Sequence, residues 1–333
     1  MKYAVIDISS SNTSMIVAEV NDRITEVIFR DRTSLTLQHY MEGRKLSSRG
    51  IDKVVESVQA MKDKCVSLGA DVLYVISTAA LRLVENFEEV GAAVLNRTGV
   101  PINAVDGQKE ALCDYIANRF YSAYERAVLV DIGGASVEVC DLSAESADRC
   151  SLDFGIYTLH RKFVEKIQPD EEEAKRIKKY IGRKLDKAEL PGKDSFVTVV
   201  LCGTVTLALY DIYTAFAGSK GEPSERAMDG KKFKKLAKHL VGGHDRSKLI
   251  LEVAPERLYS VGIAALIVRT IARRFGAENI LVSDRGVKEG YLQLVLDGRE
   301  QGAYFDFAKD ASVIEREADA EEAERAAGVS LAR

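Results

Sequence analysis

The chain contains no tryptophan, only 5 prolines in 333 residues, and aromatic residues at 7%. With 24 glycines and 46% hydrophobic residues, this composition excludes collagen-like, proline-rich and disordered classes. No apolar run approaches the roughly 18 residues of a membrane span. The longest candidate, Val197 to Tyr210, is broken by Thr198, Gly203, Thr204 and Thr206. The five cysteines (Cys65, Cys113, Cys140, Cys150, Cys202) are odd in number, widely spaced and free of any C-x-x-C, so neither a disulfide framework nor a zinc site is expected. The four histidines (His39, His160, His239, His244) form no metal or base pattern. Charge of one sign is also lacking: 47 basic against 51 acidic residues leave −4, which excludes a surface built throughout for nucleic acid. Met1 to Ile6 reads as a strand that meets Asp7 before a signal-peptide core can develop, so a cytoplasmic protein with no membrane partner is expected.

What is present is a chain long enough for about two domains. Ala4–Ile8 and Met15–Val20 flank a Ser/Asn/Thr-rich turn and predict a hairpin, with a third strand over Thr25–Phe29. Ile51, Val54, Val55, Val58, Met61 and Cys65 recur at helical spacing behind Ser47 and Ser48, which predicts an amphipathic helix with a serine cap. Val72–Ile76 reads as a buried strand, and Leu81–Leu95 and Gly107–Tyr121 as helices. Further on, Glu171–Lys187, Gly230–Leu240 and Val261–Phe275 predict helices and Phe196–Leu201 a strand. Alternation of strands and helices gives an α/β class. Ala311–Ala327, rich in Glu and Ala, predicts a solvated or frayed acidic tail over 301–333.

At Ala127 the pattern starts again. A shift of 124 residues lays Val5-Ile6-Asp7-Ile8-Ser9-Ser10-Ser11-Asn12 on Leu129-Val130-Asp131-Ile132-Gly133-Gly134-Ala135-Ser136, matching strand, acid and small-residue turn. The repeat predicts domains over 1–124 and 125–300. A strand that ends in Asp beside a tight turn sets a carboxylate next to backbone N–H groups able to hold an anion. One such turn is ordinary strand punctuation; two in register predict a cleft that grips phosphates from both sides. A third glycine turn, Cys202-Gly203-Thr204, leads from a strand into a helix, whose N-terminus is a further candidate phosphate site.

Five ordered blocks resemble the exopolyphosphatase/guanosine pentaphosphate phosphatase family, whose fold is two actin-like (ribonuclease H-like) ATPase-type domains with an interdomain cleft. They are Asp7–Ser14; Ser77-Thr78-Ala79-Ala80-Leu81-Arg82 with Asn86; Gly107-Gln108-Lys109-Glu110-Ala111; Asp131–Glu138; and Val282-Ser283-Asp284 with Gly286–Gly290. The resemblance implies Mg²⁺- or Mn²⁺-assisted release of orthophosphate from polyphosphate or guanosine pentaphosphate, and a possible homodimer. It gives Glu110 to the attacking water, Asp131, Glu138 and Asp7 to the cation, and Arg82 to the phosphate chain. Glu138 belongs also to the catalytic set. Ser10, Ser11, Asn12, Gly133, Gly134, Ala135, Ser136, Gly203 and Thr204 would hold substrate phosphates. In the first repeat Ser14 stands where the second has Glu138, so the halves are chemically unequal.

Departures from the family pattern fall at Ser9, Ala135, Cys202 and Arg285. A serine forced to positive φ at position 9 would be strained and would keep phosphate from the backbone. A polyphosphate- or alarmone-binding regulator with weak turnover is therefore the alternative. An actin-fold sugar kinase or ATPase is a third reading, opposed by the Arg82 and Gly107–Ala111 blocks. Two lysine/arginine clusters, Lys175–Lys187 and Lys231–Lys238, read as solvated helix faces or as tracks for a polyanion.

Overall fold

A computed structural model describes residues 1–9, 12–21, 24–78, 81, 84–142, 149–188, 190, 192–218 and 226–309. The chain divides into two units. One is Met1–Val105 with Leu294–Arg333, the other Asp106–Gln293.

In the first unit, β1 (Lys2–Ile8), β2 (Asn12–Asn21) and β3 (Ile24–Ser34) form an antiparallel meander. A short ribbon of β4 (Met41–Glu42) and β5 (Lys45–Leu46) precedes helix α1 (Ser48–Ser67). The Ser47 side chain accepts from Gly50 N at 3.2 Å, the predicted cap, and Val54, Val58, Met61 and Cys65 turn inward. β6 (Val72–Ser77), buried along its whole length, lies parallel to β1. Helix α2 covers Phe87–Thr98; Leu81 is helical as well, but Val84–Asn86 are not, so the helix expected over Leu81–Leu95 is interrupted. Asn86 lies ahead of it, and its amide exchanges two 2.9 Å hydrogen bonds with the backbone of Leu46, a structural duty for that residue. β7 (Ile102–Ala104) also pairs with β6.

In the second unit, helix α3 (Gly107–Asn118) is followed by β8 (Ala127–Ile132), β9 (Val137–Asp141) and β10 (Arg149–Leu152), again an antiparallel meander. Helices α4 (Ile156–Phe163) and α5 (Glu171–Lys187) lead to β11 (Thr198–Cys202), which lies parallel to β8. Then come α6 (Thr204–Ala217), β12 (Ala227–Asp229), α7 (Gly230–Gly242), α8 (Arg246–Val253) and α9 (Val261–Phe275). β13 (Asn279–Val282) and α10 (Val287–Leu296) follow, and β14 (Phe305–Asp306) pairs with β6 of the first unit's sheet.

The strand orders are β14-β6-β1-β2-β3 and β10-β9-β8-β11-β13-β12. In both, a meander is extended on its first strand by a parallel one, so the repeat read at a 124-residue shift is a repeat of topology. Asp7 faces Ser14 in the first ladder and Asp131 faces Glu138 in the second, the same register.

The division falls after Val105, ahead of the boundary placed at residue 124. Helix α3, assigned to the first repeat, packs on β8, β9 and β10 of the second unit. The expected tail begins too early as well. Phe305 is buried in the first unit's core beneath the Lys62 ammonium, 3.8 Å from its ring centre. Ala311–Ala327 lies outside the described residues.

Candidate active site

The two repeated turns close in the same way. Ser9 N donates to Asn12 O at 2.9 Å, and Gly133 N donates to Ser136 O at 3.1 Å, the equivalent atoms after the 124-residue shift. Ser9 is not among the residues of positive φ, so the strain expected there is absent. Its Oγ adds a 2.9 Å bond to the same Asn12 carbonyl, a contact that glycine lacks. The Gly133 N–H is thereby committed to the turn.

Behind the second turn stands the N-terminus of α4. Its free N–H groups, those of Ile156 and Tyr157, donate to Gly133 O at 3.1 Å and Gly134 O at 2.8 Å. These bonds fix the direction of the loop carbonyls. The approach is so close that a Cβ on Gly155 would lie 2.6 Å from Gly134 C and O, so only glycine fits at 155. Ala135 is half-buried at the tip and Ser136 buried at the return.

Asp131 ends β8, and across the ladder Glu138 begins the return, its Oε1 accepting from Ser151 Oγ at 2.8 Å. Asp106 caps α3 by accepting from Lys109 N at 2.8 Å, which sets Glu110 in the first turn, buried at 7% exposure. One carboxylate oxygen from each of Glu110, Asp131 and Glu138 lies within 4.8 Å of the others. Three residues from two separate sequence blocks thus meet in the second unit.

A fourth acid was not foreseen. Asp114, at 0% exposure, brings an oxygen within 4.8 Å of Asp131 and of the Cys202 thiol, and neither of its oxygens has a hydrogen-bond donor among the described residues. Glu110, Asp114 and Asn118 recur at i, i+4 and i+8 on one helix face, all buried. That polar stripe on a core-facing side was the available signal. Burial and the neighbouring Asp131, Glu110 and Glu138 charges push the Asp114 carboxyl well above its ordinary range, which favours its neutral form beside Asp131. Burial raises Asp131 too, opposed by the neighbouring Asp114 carboxyl, by the Lys288 ammonium and by the Cys202 S–H.

Gly203 is explained by Asp131. Its φ is +101°, and a Cβ there would lie 2.6 Å from Asp131 Oδ1 and 3.0 Å from Ile132 O. The turn expected to hold phosphate also seats the acid at the start of α6, where the helix dipole favours a negative charge. Thr204 opens that helix, half-buried.

The closing block supports the same cluster. Gly290 crosses α3 where a Cβ would fall 1.8 Å from Cys113 O, and Glu289 Oε2 accepts from Gly286 N at 2.9 Å at the start of α10. Lys288 is thus carried to the Asp131 side. Arg285, a departure from the family pattern, lies over the Phe120 ring at 5.0 Å.

In the first unit Asp7 is buried and its Oδ1 accepts from Thr78 Oγ1 at 3.3 Å. Ser14 opposite supplies no second acid. Asn12 is buried in the turn. Ser10, Ser11 and Arg82 lie outside the described residues.

Buried carboxylates in this number suit a divalent cation with oxygen ligands, and Asp131 Oδ1 and both Asp114 oxygens have no hydrogen-bond partner among the described residues. No helix among the described residues is long and apolar enough to cross a membrane.

The family model for the Ppx/GppA phosphatase family matches residues 16–297. Exopolyphosphatase 1 of Mycobacterium tuberculosis is 25% identical over 317 residues, covering 91% of this chain and 90% of that protein. Among solved structures, an exopolyphosphatase from Cytophaga hutchinsonii superposes with a TM-score of 0.78 at 15% identity, covering 91% of this chain and 100% of the other. The Aquifex aeolicus Ppx/GppA family member gives 0.74 at 22% identity, covering 90% and 99%. These likenesses agree with two actin-like units, each a meander extended by a parallel strand. With a match that runs through all but the first of the site blocks in full, the chain belongs to the Ppx/GppA phosphatase family.

Proposed function

We propose that the protein is an exopolyphosphatase that releases terminal orthophosphate from inorganic polyphosphate, with guanosine pentaphosphate as a second candidate substrate of the same chemistry. The observation that carries the reading is the meeting of Glu110, Asp131 and Glu138 beside the Gly133–Ser136 turn.

Glu110 accepts the proton of a water whose oxygen attacks the terminal phosphorus. The new P–O bond forms as the bridging P–O bond breaks. The products are orthophosphate and a chain shorter by one unit, whose new terminal oxygen takes the electron pair. Asp131 and Glu138 would hold Mg²⁺ or Mn²⁺, which supplies charge compensation for the phosphate oxygens. Gly134, Ala135 and Ser136 orient the phosphoryl group, their turn fixed by the N-terminus of α4. Asp114, in its neutral form, stands beside Asp131. Parts for Ser10, Ser11, Asn12 and Arg82 in binding phosphate, and for Asp7 in facing the cation, rest on the family resemblance alone.

The test is phosphate release from long polyphosphate and from guanosine pentaphosphate, with and without Mg²⁺, for wild type and Glu110→Ala. Cation-dependent release that collapses in the variant supports the reading. Release unchanged in the variant removes Glu110 from its role, and no release from either substrate by wild type overturns the activity.

A further inference from the structure

Of the two basic clusters, one has a structural feature that a merely solvated helix face lacks. Helices α5 and α9 pack against each other and bring Lys175 and Lys178, one turn apart, alongside Arg269 and Arg273, also one turn apart. Lys175 and Arg273 are exposed, and Lys178 and Arg269 half-buried. Lys178, Arg269 and Arg273 have no ion pair within 4.0 Å among the described residues. Nearby cations do: Lys175 meets Glu172 at 2.5 Å, Lys184 meets Asp153 at 2.7 Å, and Arg274 meets Asp186 at 3.5 Å. Glu172 and Asp186 of α5 are thus paired away from Lys178, Arg269 and Arg273. Burial and then the Arg269, Lys175 and Arg273 charges lower the Lys178 ammonium, so the charged groups acting on it are all cations. Like charges held together across two packed helices weaken the fold and persist in a chain whose net charge is −4.

We infer that this α5–α9 face of the second unit is a polyanion site that takes a stretch of inorganic polyphosphate chain, separate from the carboxylate cluster that performs the hydrolysis. Nothing acidic in that cluster attracts a polymer of negative charge, whereas this face does. The residues that act on one another here, Lys175, Lys178, Arg269 and Arg273, are all cations, which suits a bare phosphate chain. The occupant follows from the proposed activity, and the inference rests on that reading to this extent.

The experiment measures binding of fluorescently labelled long-chain polyphosphate by anisotropy, in chelator and without divalent cation, so that hydrolysis does not enter. Full-length wild type is compared with Lys178→Ala/Arg269→Ala/Arg273→Ala and with a control that removes equal charge from α7, Lys232→Ala/Lys234→Ala/Lys235→Ala. The α5–α9 triple should bind about tenfold or more weakly, with a shallower salt dependence, while the α7 triple stays within about twofold. Release of phosphate from tripolyphosphate should be the same in all three proteins. The double variant Lys175→Gln/Arg273→Gln, at exposed positions, should show the same ranking. Equal loss in both triples, unchanged affinity in the α5–α9 variants, or equally tight binding of single-stranded DNA with the same residue dependence would overturn the site. If wild type releases no phosphate while the binding pattern holds, the activity fails and the polyanion site stands.

Discussion

The two units carry the same hairpin in the same register and equip it differently. In the first, Asp7 faces Ser14 and accepts from Thr78; in the second, Asp131 faces Glu138 and gathers Glu110 and Asp114 from α3. Turn closure is common to both, Ser9 to Asn12 and Gly133 to Ser136. The difference is therefore not in the backbone but in what is brought to the acid at the strand end. Helix α3, with its two acids one turn apart, packs on the second sheet. A duplicated scaffold becomes a site where a neighbouring element supplies the additional carboxylates, and keeps only a lone acid where it does not.

The strongest way to break this comparison is to exchange its distinguishing residues. Glu138→Gln should lower phosphate release by about 10²–10⁴-fold, as expected when an essential carboxylate is removed from the chemistry. Ser14→Ala should stay within about threefold, less than 1 kcal/mol of barrier. Adding Ser14→Glu to Glu138→Gln should restore nothing, and recovery of turnover would show that the hairpins are interchangeable. Gly203→Ala comes next, because it forces both a positive-φ side chain and a collision with Asp131. It should cost about 1–3 kcal/mol in denaturant unfolding and reduce activity with it.

Asp114→Asn sharpens the comparison from the opposite side. The folded protein holds the Asp114 proton more tightly than the unfolded chain does, so this group's contribution to stability is full below the ordinary carboxylate range. It is then lost as pH rises through the elevated folded value. Asparagine removes that loss, and the cation-free variant should melt about 2–4 °C above wild type at neutral pH, with the gap widening at higher pH. An unchanged or lower melting temperature would mean that Asp114 is not held as a strained buried acid. The smallest effect belongs to Ser9→Gly, which removes the two bonds of the Ser9 hydroxyl to the Asn12 backbone and should cost within about 1 kcal/mol.

Much of this was legible in the sequence. The 124-residue shift is visible because strand, acid and small-residue turn are local patterns, and sheet pairing preserves them. The Ser47 cap and the buried face of α1 follow from helical spacing alone. The allegiance of α3 was not legible, since its sequence position precedes the second repeat while its polar stripe points into it. Asp114 escaped notice for the same reason: an acid on a helix reads as solvated until its i−4 and i+4 neighbours are seen to be polar on the buried side. Gly203 was read for a ligand, and its close approach to Asp131 was not legible because the two residues are far apart in the chain. Ser9 looked like damage to a glycine turn, yet its φ is ordinary and its hydroxyl strengthens the closure.

The central claim is that the second unit's carboxylates hold the cation on which hydrolysis depends. Anomalous diffraction from crystals soaked in Mn²⁺ tests it most directly. The account predicts a peak bonded to Asp131 and Glu138, absent in Glu138→Gln crystals treated identically. A fully occupied peak elsewhere, with no density at those two carboxylates, would contradict it.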